Sequence, residues 1–255
     1  MQEKRKPYKG KVAFVSGGSR GIGLAVADKL AQRGANIVFT YLRSRSDAAK
    51  AEEKLAVHHV RVLSLRANMG NEDQVTKVFE MVKSEFGALD FLIHNAATGD
   101  LKPVLGISTD EWQRTQDINV RALLQCAQLA APLMRGRHGR IVAISSHGSS
   151  RCLPDYSAVG VAKAAMEALC RYLAVELASR GIGANAVMAG TTDTQSLRGI
   201  PRHEEMIHSA KFKTPAGRIG HPEDIAQIVA FLCSEESRWI VGQTIVADGG
   251  YSIVA

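Results

Sequence analysis

Residues 11–23 read KVAFVSGGSRGIG, and this stretch decides the fold. A short apolar run at 11–16 ends in glycines, the pattern of a buried strand. Beyond the glycines, Ile22, Val26 and Leu30 recur every fourth residue, as on one face of a helix. A strand, a glycine turn and a helix in succession make a phosphate site. The glycines let the backbone bend and approach, and the helix start offers free N–H groups at the positive end of its dipole. A glycine pattern alone carries little; its place between strand and helix makes nucleotide binding the expectation. Gly17, Ser19, Arg20, Gly21, Ile22 and Gly23 are therefore candidate cofactor residues.

Outward from this stretch the chain alternates. Strands are expected at 36–41, 60–66, 89–94, 140–145, 184–188 and 243–247. Helices are expected at 46–56, 71–86, 109–134, after Tyr156, and at 225–231. Regular β-α repetition implies a parallel sheet with helices on both faces. The fold class is α/β, one Rossmann-type doubly wound domain over 1–255 with a basic extension at 1–9. Residues 193–214 are polar and read as irregular, within a substrate loop or lid at 191–214.

The end of the second strand decides the nucleotide. An acid there would bind the adenosine ribose and repel a 2′-phosphate. The segment is Thr40-Tyr41-Leu42-Arg43-Ser44-Arg45, with no acid before Asp47. Arg43, with Ser44 beside it, and Arg20 are placed for charge-assisted contacts to a 2′-phosphate, so NADPH is expected over NADH. The alternative is two solvated arginines. Asn68-Met69 and Asn95-Ala96-Ala97 follow the third and fourth strands, where an open α/β sheet has its crevice; ordinary turn residues are the alternative. Gly190 and Thr192 follow the sixth strand.

Composition bounds the rest. The 255 residues are long enough for a full core, with 45% hydrophobic content that argues against disorder. No apolar run reaches the roughly 18 residues of a membrane span, and the N-terminus lacks a signal-peptide core. A cytoplasmic protein is expected, with no membrane association. Net charge is +7 without an aromatic-interleaved basic stripe, which favours an anionic cofactor or an acidic carrier protein over nucleic acid. Of the four cysteines, Cys126, Cys170 and Cys233 lie in apolar stretches and read as buried thiols, whereas Cys152 could line a site. His203 and His208 are five apart, which does not fit the HExxH pattern, and no metal site is expected.

Residues 144–163 read ISSHGSSRCLPDYSAVGVAK and carry Tyr156 and Lys163 seven positions apart. At this point the chain resembles the short-chain dehydrogenase/reductase superfamily. The resemblance rests on SGGSRGIG at 16–23, HNAA at 94–97, Asn119, ISS at 144–146, Tyr156 with Lys163, and the late DGG at 248–250. It implies about seven parallel strands, a nicotinamide cofactor and a homotetramer. It also implies Tyr156, Lys163, Ser146 and Asn119 as catalytic residues, with Lys163 on the cofactor ribose and Asn119 holding backbone and water near Lys163.

The departures are specific. Ordinary members have Tyr-x3-Lys, which would put lysine at position 160; here that residue is Gly160. Ser146 lies ten residues before Tyr156, closer than in ordinary members. Asn68, His94, Ala97 and Ala189 also replace the usual residues. Tyr-x6-Lys is similar to the enoyl-acyl-carrier-protein reductases of bacterial fatty acid synthesis. YSAVGVAKAAMEALCRYLAVEL, NAATG and TPAGR resemble their NADPH-dependent type III class.

A reason for the spacing lies in the chemistry. Ketone reduction puts hydride and proton on the same carbonyl group. Enoyl-thioester reduction sends hydride to C3 while charge builds on the oxygen at C1, two carbons further away. On a continuous helix seven residues rise about 10.5 Å and four about 6 Å, both on nearly one face. The longer spacing can hold the phenol further from a lysine anchored on the ribose. Tyr156 would stabilise the enolate oxygen, with Lys163 lowering the phenol pKa. The C2 proton comes from Tyr156 or from water. The substrate expected is an enoyl thioester of acyl carrier protein or coenzyme A, with Arg198, Arg202, Lys211 and Lys213 as candidates to meet an acidic carrier. A carbonyl reductase such as a 3-ketoacyl reductase, or a non-catalytic nucleotide-binding sensor, are the alternatives.

Overall fold

A computed structural model describes residues 6–199 and 203–254. Seven strands form one parallel sheet: β1 (Val12–Val15), β2 (Asn36–Tyr41), β3 (Val62–Arg66), β4 (Phe91–His94), β5 (Arg140–Ser146), β6 (Gly183–Ala189) and β7 (Thr244–Ala247). Their order is β3-β2-β1-β4-β5-β6-β7. β1 pairs with β2 on one side and β4 on the other, so the order reverses there and opens a crevice at the strand ends.

The central strands are buried on both faces, which is why they read as unbroken apolar runs. Val12 and Phe14 enter one core while Ala13 and Val15 enter the other, as a two-residue side-chain period requires. The helices are α1 (Gly21–Gln32), α2 (Arg45–Ala56), α3 (Glu72–Phe86), α4 (Thr109–Gln116), α5 (Ala122–Leu133), α6 (Ser157–Leu177), α7 (Gln195–Arg198), α8 (His203–Lys213) and α9 (Pro222–Leu232). Residues of α3, α5 and α6 fill the first core, and those of α1, α2 and α9 fill the second. The expected doubly wound domain is the observed one.

Two elements differ from expectation. The helix expected at 109–134 is split by a π-helical turn, Asp117–Arg121, that contains Asn119. Residues 193–214 are not irregular, because α7 and α8 occupy most of them. The signal for α8 was present: Glu204 and Glu205 in the first turn and Lys211 and Lys213 in the last suit the helix dipole. Arg202 lies outside the described residues, as do residues 1–5 of the basic extension. Among the described residues, no helix is long and apolar enough to cross a membrane.

Candidate active site

The glycine turn is braced by its neighbours. The Gly17 N–H donates to Thr40 Oγ1 at 3.1 Å and the Gly18 N–H to Thr40 O at 3.0 Å. Ser16 Oγ accepts from the N–H groups of Asn95 and Ala96, both at 3.0 Å. The Asn95 amide donates to Ser16 O at 3.1 Å and Gly17 O at 2.9 Å. Asn95 thus ties the end of β4 to the turn after β1. Gly23 must lack a side chain, since a Cβ there would lie 2.2 Å from Gly17 O. The first turn of α1 has no side-chain cap and no acid. Its N–H groups and positive dipole end are open to an anion, so the residues present fit a phosphate-bearing cofactor.

The other candidates sit around the same crevice. Arg43 is exposed just past β2, whereas Arg45 is engaged with Glu52 and Ser64 at 3.2 Å each. Arg20 Nη1 donates to Gln195 Oε1 at 3.1 Å, so α7 closes on the glycine turn. Ser44 caps α2 by accepting from the Asp47 N–H at 3.1 Å. Asn68 Oδ1 accepts from the Gly70 N–H at 3.0 Å, and Met69 is buried against Thr40. Ala97 is exposed beyond β4. Thr192 Oγ1 donates to Gly190 O at 2.9 Å, where β6 leaves the sheet. Ser16, Thr40 and Gln195 escaped the sequence reading. A small hydroxyl at a strand end beside a glycine turn is the signal that would have found the first two.

Three consecutive residues at the end of β5 grip the segment around α6. Lys163 Nζ donates to Ile144 O at 2.7 Å. Ser145 Oγ donates to Glu167 Oε1. Ser146 Oγ and Tyr156 OH lie 3.1 Å apart. Tyr156 is not inside the helix: it is the residue before α6, with φ −110° and ψ 9°. Asp155 precedes it in the left-handed region at φ 59°, a conformation aspartate tolerates, and its carbonyl accepts from the Lys102 N–H at 2.9 Å. The tyrosine is therefore aimed by a kinked loop rather than by helical pitch. Cys152, in that loop, is exposed.

The electrostatics overturn one expectation. Burial raises the Tyr156 pKa, with the Ser146 hydroxyl opposing it, so the resting phenol is held protonated and not ionised. Lys163 is buried, and desolvation pulls it down to about 8 against the opposing pull of Glu167. One of its three donors serves Ile144 O. His94 is pushed down to about 3, by burial and then by Lys163, and stays neutral. His94 Nε2 donates to Asn119 O at 3.1 Å, since the carbonyl can only accept. The Asn119 amide donates to Thr98 O and Thr115 O, both at 2.8 Å, bracing the loop after β4 against α4. Asn119 Oδ1 is buried without a partner. Among the described residues no three His, Cys, Asp or Glu side chains gather as metal ligands.

The end of β5 holds a protonated phenol through Ser146 and a buried lysine through Ile144 O, and the end of β1 carries a glycine turn open to an anion. These features, on a doubly wound sheet, define a nicotinamide-dependent oxidoreductase. The chain belongs to the short-chain dehydrogenase/reductase superfamily and, within it, to the family described as Enoyl-(Acyl carrier protein) reductase, whose profile matches residues 17–252. It is 37% identical to 1-cyclohexenylcarbonyl-CoA reductase of Streptomyces collinus, over 96% of this chain and 88% of that one. It is 34% identical to the 3-oxoacyl-[acyl-carrier-protein] reductase FabG of Staphylococcus aureus, over 94% and 97%. A short-chain dehydrogenase of Burkholderia cenocepacia, solved in complex with NADP, superposes with a TM-score of 0.91 at 31% identity, covering 96% of this chain and 99% of that one.

Proposed function

We propose that the protein is an NADPH-dependent enoyl-thioester reductase acting on acyl chains carried by acyl carrier protein or coenzyme A. The observation that carries the reading is the Ser146–Tyr156 contact of 3.1 Å, made by a tyrosine that stands outside α6 and seven residues before Lys163. When bound, the nicotinamide supplies hydride. Gly17, Ser19, Arg20, Gly21, Ile22 and Gly23 hold the pyrophosphate at the start of α1. Arg43 and Ser44 take the 2′-phosphate, Asn68 and Met69 flank the adenine, and Asn95, Ala96, Ala97, Gly190 and Thr192 line the nicotinamide side.

Tyr156 donates to the thioester oxygen as it becomes an enolate, the kind of pre-aimed contact that is worth most at the transition state. Ser146 orients the phenol. Lys163 binds ribose hydroxyls with its remaining donors and holds positive charge below the site. Asn119 keeps the π-helical turn fixed beneath it. A ketone reductase is the competing reading: a serine–tyrosine pair serves a ketone oxygen equally well, and the likeness to a 3-oxoacyl reductase supports it.

With a crotonyl thioester, purified protein is expected to oxidise NADPH at least about tenfold faster than NADH, since two or three phosphate contacts to Arg20 and Arg43 are charge-assisted. Absence of turnover with every thioester tried, beside tight NADPH binding, contradicts an enzymatic role.

The carrier is proposed to meet the last turn of α8, where Lys211 and Lys213 are exposed. Arg198 is already bidentate to Asp193, with both bonds at 3.0 Å, and is a weaker candidate. Changing Lys211 and Lys213 to Glu is expected to raise KM severalfold for the carrier-bound substrate and to leave the coenzyme A thioester little changed. Equal effects on both reject this docking surface. Exposed Val161, Tyr172 and Val175 on α6 support burial of that helix against another copy, in keeping with a homotetramer.

A further inference from the structure

Tyr156 reaches Ser146 only because two glycines leave room for it. Gly160 lies in the first turn of α6, and its N–H donates to Tyr156 O at 2.7 Å. A Cβ on Gly160 would fall 2.7 Å from Gly148 O and 3.4 Å from Gly148 C. A Cβ on Gly148 would fall 2.4 and 2.5 Å from Tyr156 Cδ1 and Cε1, and 3.3 Å from Gly160 Cα. Turn, ring and helix therefore meet with no side chain between them. Neither glycine has a positive φ, so space and not backbone freedom is what demands them.

We infer that Gly148 and Gly160 are positioning residues that seat Tyr156 against Ser146; the inference rests on the catalytic reading of Tyr156. The seat cannot relax by moving the turn away. His147 Nε2 lies 3.0 Å from Asp248 Oδ2, and the His147 ring stacks on Tyr251 with centroids 5.1 Å apart. Arg151 donates to Ser252 O. Asp248 in turn accepts from the N–H groups of Gly250 at 2.9 Å and Ser252 at 2.8 Å. The helix is equally fixed, since Met166 and Cys170 are buried in the core and Lys163 is tied to Ile144 O. A methyl group added at Gly148 therefore meets the Tyr156 ring directly, and one added at Gly160 presses on Gly148 O and, through that turn, on the same ring. The late DGG is part of the same device, since its aspartate anchors the turn that carries the seat.

The test is a cycle of Gly160→Ala and Tyr156→Phe, with Gly148→Ala as a second variant should the first not fold. Alanine is a better helix former than glycine, but its Cβ would sit 2.7 Å from Gly148 O, so Gly160→Ala should melt somewhat below the parent while still folding. Its kcat should fall at least about tenfold, with the NADPH dissociation constant within about twofold, because the displaced group is the phenol and not the cofactor cradle. In the Tyr156→Phe background the same change should alter kcat by less than about twofold, since coupled sites are not additive. An equal loss in both backgrounds overturns the seat in favour of a general structural effect. Unimpaired kcat in both alanine variants, beside an impaired Tyr156→Phe, overturns the seat alone. An unimpaired Tyr156→Phe overturns the catalytic reading of the tyrosine, and the seat with it.

Discussion

Tyr156→Phe is expected to lower kcat by about 100- to 1,000-fold, the loss typical of removing one pre-aimed donor from a developing oxyanion. The ring stays, so its packing against Gly148 and the loop at 153–156 survive. NADPH binding should change by no more than about twofold, because the hydroxyl's contact is Ser146 and not the glycine turn. The raised phenol pKa sharpens the expectation. A phenol that remains protonated can donate throughout the neutral range, so tyrosine ionisation should not limit the rate there. Loss of kcat with KM for NADPH preserved separates a transition-state contact from a cofactor contact.

Lys163→Met is expected to act on the other side of that division. It keeps most of the stem but removes the charge and leaves Ile144 O buried without its donor. The NADPH dissociation constant should rise at least about tenfold at pH 7, with kcat reduced as well, since hydrogen bonds to a charged group are the stronger kind. The parent protein supplies a pH signature. Burial lowers the Lys163 pKa to about 8, so the side chain is charged below that pH and neutral above it. NADPH affinity should therefore hold between pH 6 and 7 and weaken as pH rises through about 8. In Lys163→Met that alkaline loss should vanish. Titrating cofactor fluorescence against pH in both proteins checks this, and an alkaline limb that persists in the variant assigns it to another group.

The sheet was legible because its central strands are buried on both faces and therefore read as apolar runs between glycines and turns. The glycine turn was legible for the same reason, with strand and helix framing it. Other features were hidden in whole or in part. The course of α8 was obscured by its polar side chains, although its end charges suited a helix dipole. The π-helical turn at Asn119 leaves no period in a sequence, because one widened turn shifts the apolar pattern by a single residue. The placement of Tyr156 was half legible. Its spacing from Lys163 was plain, but a continuous helix was the wrong ruler, since the tyrosine precedes α6 behind a left-handed Asp155. The sign of its pKa shift was likewise out of reach, because burial, which a sequence does not show, governs the phenol.

The central claim is that this displaced tyrosine serves an oxygen remote from the carbon that receives hydride. The most direct measurement follows NADPH oxidation with crotonyl and acetoacetyl thioesters in parallel, each on coenzyme A and on acyl carrier protein. Rapid oxidation with crotonyl and little with acetoacetyl is expected on either carrier. Preference for acetoacetyl would contradict the claim, making the protein a ketone reductase in which the Tyr156–Lys163 spacing has no bearing on the reaction.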